Sequence, residues 1–297
     1  MDGILVVDKP AGITSHDVVD RLRRLTGIDK VGHLGTLDPI ATGVLPVALG
    51  RATRLAQFFL HRDKTYEGVI RFGFATDTYD REGTRTTDEK PFGGNLEEAI
   101  RSLTGSLDQI PPPYSAKKIG GVASDKLARR NQAVGMAPSK VEVERFEVVA
   151  LNPPLMTFRV VCSPGTYIRS LAHDLGQLLG CGAHLTALRR TRSGDFRIQD
   201  AVGLDKLSAK NIIPLDRLLP GMPRIEVSGL EETKVVHGNE IRGVADGQFA
   251  RIFNKKGEFL AVAFVENGWV RPRLVLTSIP SEQSDMLDCI LEKEIES

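Results

Sequence analysis

Cysteine is scarce in this chain: Cys162, Cys181 and Cys289 lie far apart, and no two form a CxxC pair. Such spacing argues against a zinc site and against a disulfide framework, and points to reduced, structural thiols. No apolar run approaches the roughly 20 residues that a membrane-spanning helix needs. The opening MDGILVVDKPAG has neither a basic segment nor an extended apolar core, so it does not read as a secretory signal. A soluble, cytoplasmic protein without a membrane partner is expected. Internal repeats and low-complexity tracts are missing too, which excludes a repeat array.

Excess charge of one sign is also lacking. A formal net charge of +1 over 297 residues is little for a protein that would hold a polyanion. Net charge averages over faces, however, and the chain is locally basic at Arg51 to Arg62, Lys117 to Arg130 and Arg189 to Arg197, and mostly acidic after Ser281. Charge runs of this kind are also found on ordinary solvated faces. With 41% hydrophobic and 26% charged residues the composition is that of a globular protein, and the length suits one large domain plus a small one.

Gly3 to Asp8 reads as a buried strand from its Ile-Leu-Val-Val run, followed by the turn Lys9-Pro10-Ala11-Gly12. A helix comes next, with Ser15 as its cap, Val18, Val19, Leu22 and Leu25 at helical spacing, and Gly27 as its stop. Further strands are expected at Val44 to Leu49, Lys64 to Phe74, Val141 to Leu151, Leu155 to Cys162 and His184 to Arg192. Helices are expected at Ala52 to Leu60, Asn95 to Thr104 and Tyr167 to Leu179. Leu107 to Arg145 mixes a triple proline, glycines and basic residues, and reads as an excursion with little core of its own. Beyond about Asp216, glycine turns and short Val/Ile/Phe runs indicate a small β-rich module from Arg224 to Leu276. Strands and helices without strict βαβ alternation make the fold class α+β.

The chemistry concentrates in Gly32-His33-Leu34-Gly35-Thr36-Leu37-Asp38-Pro39-Ile40-Ala41-Thr42-Gly43, where Asp38 is the single carboxylate. Glycines allow close backbone approach or positive φ, and Pro39 biases Asp38 away from the helical region. A carboxylate so placed is positioned for catalysis, or else caps a turn or a helix.

The run GHLGTLDPIATGVLPVALGRATRL resembles, nearly residue for residue, the catalytic segment of the TruB family, the tRNA pseudouridine-55 synthases. GILVVDKPAGITSHDVV, KTYEGVIRFGFATDTYDREG, PPPYSAKKIGG and SPGTYIRSLAHDLGQLLGCGAHLTALRRTRSGDF resemble the same family in the same order. The resemblance implies a pseudouridine-synthase fold, a mixed, largely antiparallel sheet crossed by the active-site cleft. It implies a catalytic domain over residues 1–216 with an RNA-clasping insertion at about 107–145, and an RNA-binding PUA-like domain over 224–276. The acidic tail, 281–297, has no counterpart in it. It further implies isomerisation of uridine 55 in the T arm of tRNA after base flipping. A monomer with no metal and no cofactor is expected. Related archaeal and eukaryotic proteins use guide RNA; the bacterial type that this chain resembles does not.

By the same resemblance Asp38 is the essential residue. It could attack C1′ or C6 as a nucleophile or assist a deprotonation on a glycal route, and its position does not select among these. In a pocket that holds a nucleobase a carboxylate loses solvation and drifts toward protonation unless a cation stands beside it. Arg169, in Gly165-Thr166-Tyr167-Ile168-Arg169, matches the family arginine that pairs with it. Tyr66 matches the tyrosine that stacks on the target base, and Tyr167 and Leu188 match positions lining the uracil pocket. His33 matches a histidine that stacks beside the flipped base, Lys9 a lysine that supports the active-site loop, and Asp80 an acidic residue near the cleft. Strand packing for Tyr66, ordinary core for Leu188 and a solvated surface for Lys9 are the plainer alternatives. In the insertion, Lys117, Lys118, Arg129 and Arg130 are candidates for contacts with the T-stem backbone.

Asp77, Asp80 and Glu82 of ATDTYDREG superficially resemble a calcium loop but lack its register. A glycosidase-like hydrolase would need a second carboxylate, and none pairs convincingly with Asp38. A non-catalytic RNA-binding or RNA-folding protein is the competitor from another class.

Overall fold

Eleven strands form one mixed sheet in the computed structural model, which describes residues 2–114, 118–119, 122–123 and 137–277. In chain order the elements are β1 (Gly3–Lys9), α1 (Ser15–Thr26), β2 (Val31–His33), β3 (Ala41–Leu49), α2 (Gln57–Leu60), β4 (Lys64–Phe72), α3 (Leu96–Ser102) and β5 (Gly105–Gln109). The short pair β6 (Lys118–Ile119) and β7 (Val122–Ala123) precedes β8 (Ser139–Asn152), β9 (Leu155–Cys162), α4 (Ile168–Leu178) and β10 (Ala183–Ser193). Three two-residue strands, β11 (Phe196–Arg197), β12 (Val202–Gly203) and β13 (Ile213–Pro214), lead to the C-terminal unit. That unit holds β14 (Arg224–Val227), α5 (Leu230–Val236), β15 (Ile241–Arg242), β16 (Phe249–Asn254), β17 (Phe259–Glu266) and β18 (Trp269–Val275).

The main sheet runs β12-β1-β3-β10-β4-β9-β8-β5, with β2 on β3, β11 on β10 and β13 on β1. Its pairs are antiparallel except β1 with β12 and β3 with β10, so the sheet is mixed and largely antiparallel as expected. The β3 and β10 backbones approach closely. A Cβ on Gly43 would lie 2.3 Å from the Arg190 carbonyl oxygen, and Gly43 has φ +99°, so only glycine fits there.

Strand alternation decides what faces what. Along β4, Lys64, Tyr66, Gly68, Ile70 and Phe72 are buried, and the residues between them are half-buried. The buried row joins the main core with Leu5, Val7, Leu22, Phe158 and Leu175, under α1, α3 and α4. A five-stranded sheet, β14-β16-β17-β18-β15, covers part of the opposite face. There Phe253, Phe259, Val262 and Leu276 share one cluster with Ile4, Val6, Val44 and Ala48.

Several expectations need correction. Thr14, not Ser15, caps α1: its hydroxyl accepts the Asp17 N–H at 3.0 Å and Asp17 accepts the Thr14 N–H at 2.8 Å. Ser15 is the buried first residue of the helix, with its hydroxyl turned to the Asp38 loop. The expected helix at Ala52 to Leu60 is a 3₁₀ turn, Gly50–Leu55, followed by the single-turn α2. His33 is the last residue of strand β2, two residues before the loop segment 35–39. The excursion read over 107–145 is narrower, because β5 and β8 pair with each other in the main sheet. Lys117, Arg129, Arg130 and the acidic tail lie outside the described residues, as does the side chain of Lys118. Cys162 and Cys181 are buried and form no disulfide.

Candidate active site

The loop between β2 and β3 is held through its backbone at each residue from Gly35 to Pro39. Arg190 donates from Nη2 to the Gly35 carbonyl at 3.0 Å and from Nη1 to the Thr36 carbonyl at 3.1 Å. Ser15 Oγ accepts the Leu37 N–H at 2.8 Å and donates to the Leu37 carbonyl at 3.0 Å. The Asp38 carbonyl accepts the Ala41 N–H at 3.0 Å, and the Pro39 carbonyl accepts the Gly12 N–H at 2.9 Å. Lys9 lies beneath, fully buried, with Nζ donating to the Pro10, Ile13 and Pro39 carbonyls at 2.8, 2.7 and 3.4 Å. A solvated-surface role for Lys9 is therefore excluded. Burial pushes its ammonium down to about 8, partly offset by the Asp38 carboxylate.

Asp38 meets Arg169 side-on. Nε donates to Oδ2 at 2.8 Å and Nη2 to Oδ1 at 3.1 Å, a bidentate charge-assisted pair. Arg169 is 6% exposed and Asp38 34%, so the arginine is fixed in the wall while the carboxylate remains reachable. Its other donors go to the Thr78 and Tyr114 carbonyls, both at 2.9 Å. Asp80 stands behind, with Oδ2 at 3.6 Å from Arg169 Nη1 and Oδ1 accepting Thr78 Oγ1–H at 2.7 Å and the Glu82 N–H at 3.0 Å. Asp80 and Asp77 thus close the ATDTYDREG turn itself, with Asp77 Oδ1 accepting the Thr84 N–H at 2.7 Å. The start of α4 is pinned by Gln109, which accepts the Tyr167 N–H at 2.8 Å and donates to the Tyr167 carbonyl at 3.1 Å.

Between loop, α4 and sheet lies a cavity of about 270 Å³ lined by Asp38, Arg169, Tyr66, Tyr167 and Leu188 among others. Tyr66 and Leu188 come from the neighbouring strands β4 and β10 and face the same side. Burial raises the Tyr66 phenol above its usual value, and the Arg190 guanidinium beside it pulls the other way. The structure thus gathers five of the expected residues in one pocket and places Lys9 and Asp80 directly behind it. His33 is not among the lining residues. It is half-buried, with Nδ1 lacking a hydrogen-bond partner among the described residues and its basicity lowered by burial.

The sequence assigned no site role to Arg190, Lys64 or Gln109, and to Ser15 only that of a helix cap. For two of them the signal was the strand period: Lys64 precedes Tyr66 by two residues and Arg190 follows Leu188 by two, so each shares its partner's face. Nothing local marks Ser15 or Gln109, whose partners are 22 and 58 residues away.

Residues 23–168 match the family model for the TruB family pseudouridylate synthase N-terminal domain, and residues 169–220 that for the tRNA pseudouridylate synthase B C-terminal domain. A protein named tRNA pseudouridine synthase B from Solibacter usitatus (strain Ellin6076) is 43% identical over 89% of this chain and 96% of its own. One of the same name from Thermobifida fusca (strain YX) is 43% identical over 92% and 98%. Among solved structures, an H/ACA RNP bound to a substrate RNA containing 2′-deoxyuridine aligns with TM-score 0.67 and 26% identity over 93% of this chain and 85% of that one. Fold and site therefore define a pseudouridylate synthase of α+β architecture. Within that class, the chain belongs to the TruB family.

Proposed function

We propose that this protein isomerises uridine 55 in the T loop of tRNA to pseudouridine, with Asp38 as its essential residue. The observation that carries the reading is Asp38 itself, gripped on both oxygens by a buried arginine and left open to a pocket walled by a tyrosine ring and a leucine. At about 270 Å³ the pocket sits just below the lower end of ligand sites, roughly 300–1,000 Å³, which suits a single nucleoside. Relatives at 37–49% identity that carry the name tRNA pseudouridine synthase B support tRNA as the substrate.

The reaction breaks C1′–N1, turns the pyrimidine and joins C1′ to C5, with no redox change. Arg169 holds Asp38 by both carboxylate oxygens and so fixes its orientation in the pocket. The target base must leave its stack to enter, and the few kcal/mol this takes are recovered by Tyr66 against its face, Leu188 and Tyr167 around it, and phosphate contacts outside. Asp80 orients Arg169, and Lys9 fixes the loop. His33, outside the pocket, stacks on a nucleotide next to the flipped one. The C-terminal sheet serves as a PUA-like RNA-binding module. The enzyme acts as a cytoplasmic monomer. It works without guide RNA, a reading supported by its greater identity to the tRNA pseudouridine synthase B relatives than to the H/ACA protein.

Unmodified tRNA incubated with wild type or Asp38→Asn, then mapped by carbodiimide-dependent reverse-transcription stops, tests the proposal. A T-loop stop with wild type alone is expected. Tight tRNA binding without any stop would instead favour a binding protein.

A further inference from the structure

Two buried cations of the pocket have no carboxylate partner among the described residues. Arg190, 1% exposed, donates from Nε to the Val44 carbonyl at 2.8 Å and from Nη1 and Nη2 to the Thr36 and Gly35 carbonyls. Lys64, 6% exposed, donates from Nζ to the Leu60 carbonyl at 2.8 Å and to the Arg62 carbonyl. Both line the cavity that Asp38 and Tyr66 line. Strand pairing sets Arg190 opposite Tyr66, and Lys64 stands two residues from Tyr66 on the same buried face. Arg169 differs, since Asp38 and Asp80 both face it.

An ion buried without a counter-ion is expensive, and proteins normally pair it. Carbonyl dipoles fix these two side chains in place but do not cancel their charge. The sheet wall of the pocket therefore holds a standing positive potential that strand packing does not require.

The isomerisation proposed above, on which this inference rests, has a use for it. When C1′–N1 breaks, the bonding pair stays on N1 and the pyrimidine becomes an anion. Asp38 is a carboxylate and offers that negative charge no stabilisation. Tyr66 and Leu188 offer a ring face and methyl groups, and Arg169 is already committed to two carboxylates. We propose that Lys64 and Arg190 form a preorganised cationic wall that stabilises the pyrimidine anion from C1′–N1 cleavage until C5 attacks C1′. The pair then forms the C1′–C5 bond, C5 loses its proton, N1 gains one, and the atoms balance without a co-reactant.

The test is single-turnover conversion of T stem-loop RNA carrying uridine or 5-fluorouridine at the target, resolved by nuclease digestion and chromatography. Fluorine withdraws electrons and makes the pyrimidine a better leaving group, so a variant deficient in anion stabilisation loses less on that substrate. Lys64→Met is expected to slow uridine conversion about 100-fold with unchanged RNA affinity, and to slow loss of 5-fluorouridine on the order of tenfold less. Lys64→Arg, which keeps the charge, restores most of the rate, and Arg190→Met is read by the same ratio. Thermal melts accompany each variant, and Lys64→Gln replaces Lys64→Met if the latter does not melt cooperatively. Wild-type rate in Lys64→Met, an equal loss on both substrates, or a loss confined to RNA affinity would overturn the inference. No pseudouridine from wild type would instead sink the synthase reading, a result distinct from equal activity in wild type and variant.

Discussion

At the scale of single residues, the site works through side chains whose freedom has been removed. Arg169 reaches both oxygens of Asp38 because a guanidinium is a planar fork, and lysine cannot reproduce that geometry. Arg169→Lys should therefore lower the single-turnover rate about 100-fold while leaving tRNA affinity intact. An unchanged rate would show that the fork is dispensable. Burial holds both Lys9 and Lys64 down to about 8. Each acts as an ammonium, so the protonated form is present below that value and is lost as pH rises through it. The single-turnover rate is expected to fall above about pH 8, and a rate still flat near pH 9.5 would contradict the role given to these lysines.

At the scale of elements, the first turn of α1 does two separable jobs. Thr14 caps the helix, and Ser15, one residue on, holds Leu37 of the Asp38 loop by two hydrogen bonds. Thr14→Ala should cost about 1 kcal/mol of stability, seen as a melting point lower by a few degrees, with little change in rate. Ser15→Ala should slow the reaction more than its change in melting point accounts for, because it loosens the loop next to Asp38. Equal behaviour of the two variants in rate would count against that division. Helix α4 carries a different strain. Burial raises Asp174 from 3.8 to about 6, so its contribution to stability is present in full below 3.8 and lost as pH rises through about 6. At pH 7.5 the ionised carboxylate is a burden, and Asp174→Asn should raise the melting point by a few degrees there and by less at pH 5.

At the scale of the whole molecule, the C-terminal sheet is part of the core. Ile4, Val6 and Val44 of the main sheet share a cluster with Phe253, Phe259 and Val262, so removing the module would expose the back of β1 and β3. A chain truncated after Met222 is expected to melt at lower temperature and to aggregate, measurable by calorimetry and light scattering. Retention of the full-length melting point would mean that the two units are stabilised independently. The positive wall of the pocket likewise belongs to the whole sheet: Lys64 and Arg190 come from β4 and β10, held by pairing that spans more than a hundred residues of chain.

Much of the fold was legible residue by residue. The Ile-Leu-Val-Val run of β1, the spaced apolar residues of α1 with Gly27 at its end, and the sheet strands β4, β9 and β10 follow from local periodicity, which depends only on near neighbours. Asp38 and Arg169 were singled out by the resemblance of their segments to the TruB family, and the structure places the two side chains in a bidentate pair. The cap of α1 was misplaced by one residue because Thr14 and Ser15 offer the same hydroxyl, and only packing against Leu37 decides which one faces inward. What the sequence by itself determined is the periodicity of most elements and the chemical types at the site. What only the tertiary structure decided is which side chains meet around the pocket: Ser15 at Leu37, Gln109 at Tyr167, and Lys64 and Arg190 in its lining with no carboxylate partner among the described residues. Those contacts join residues far apart in the chain, where burial and strand register, rather than local preference, set the partners.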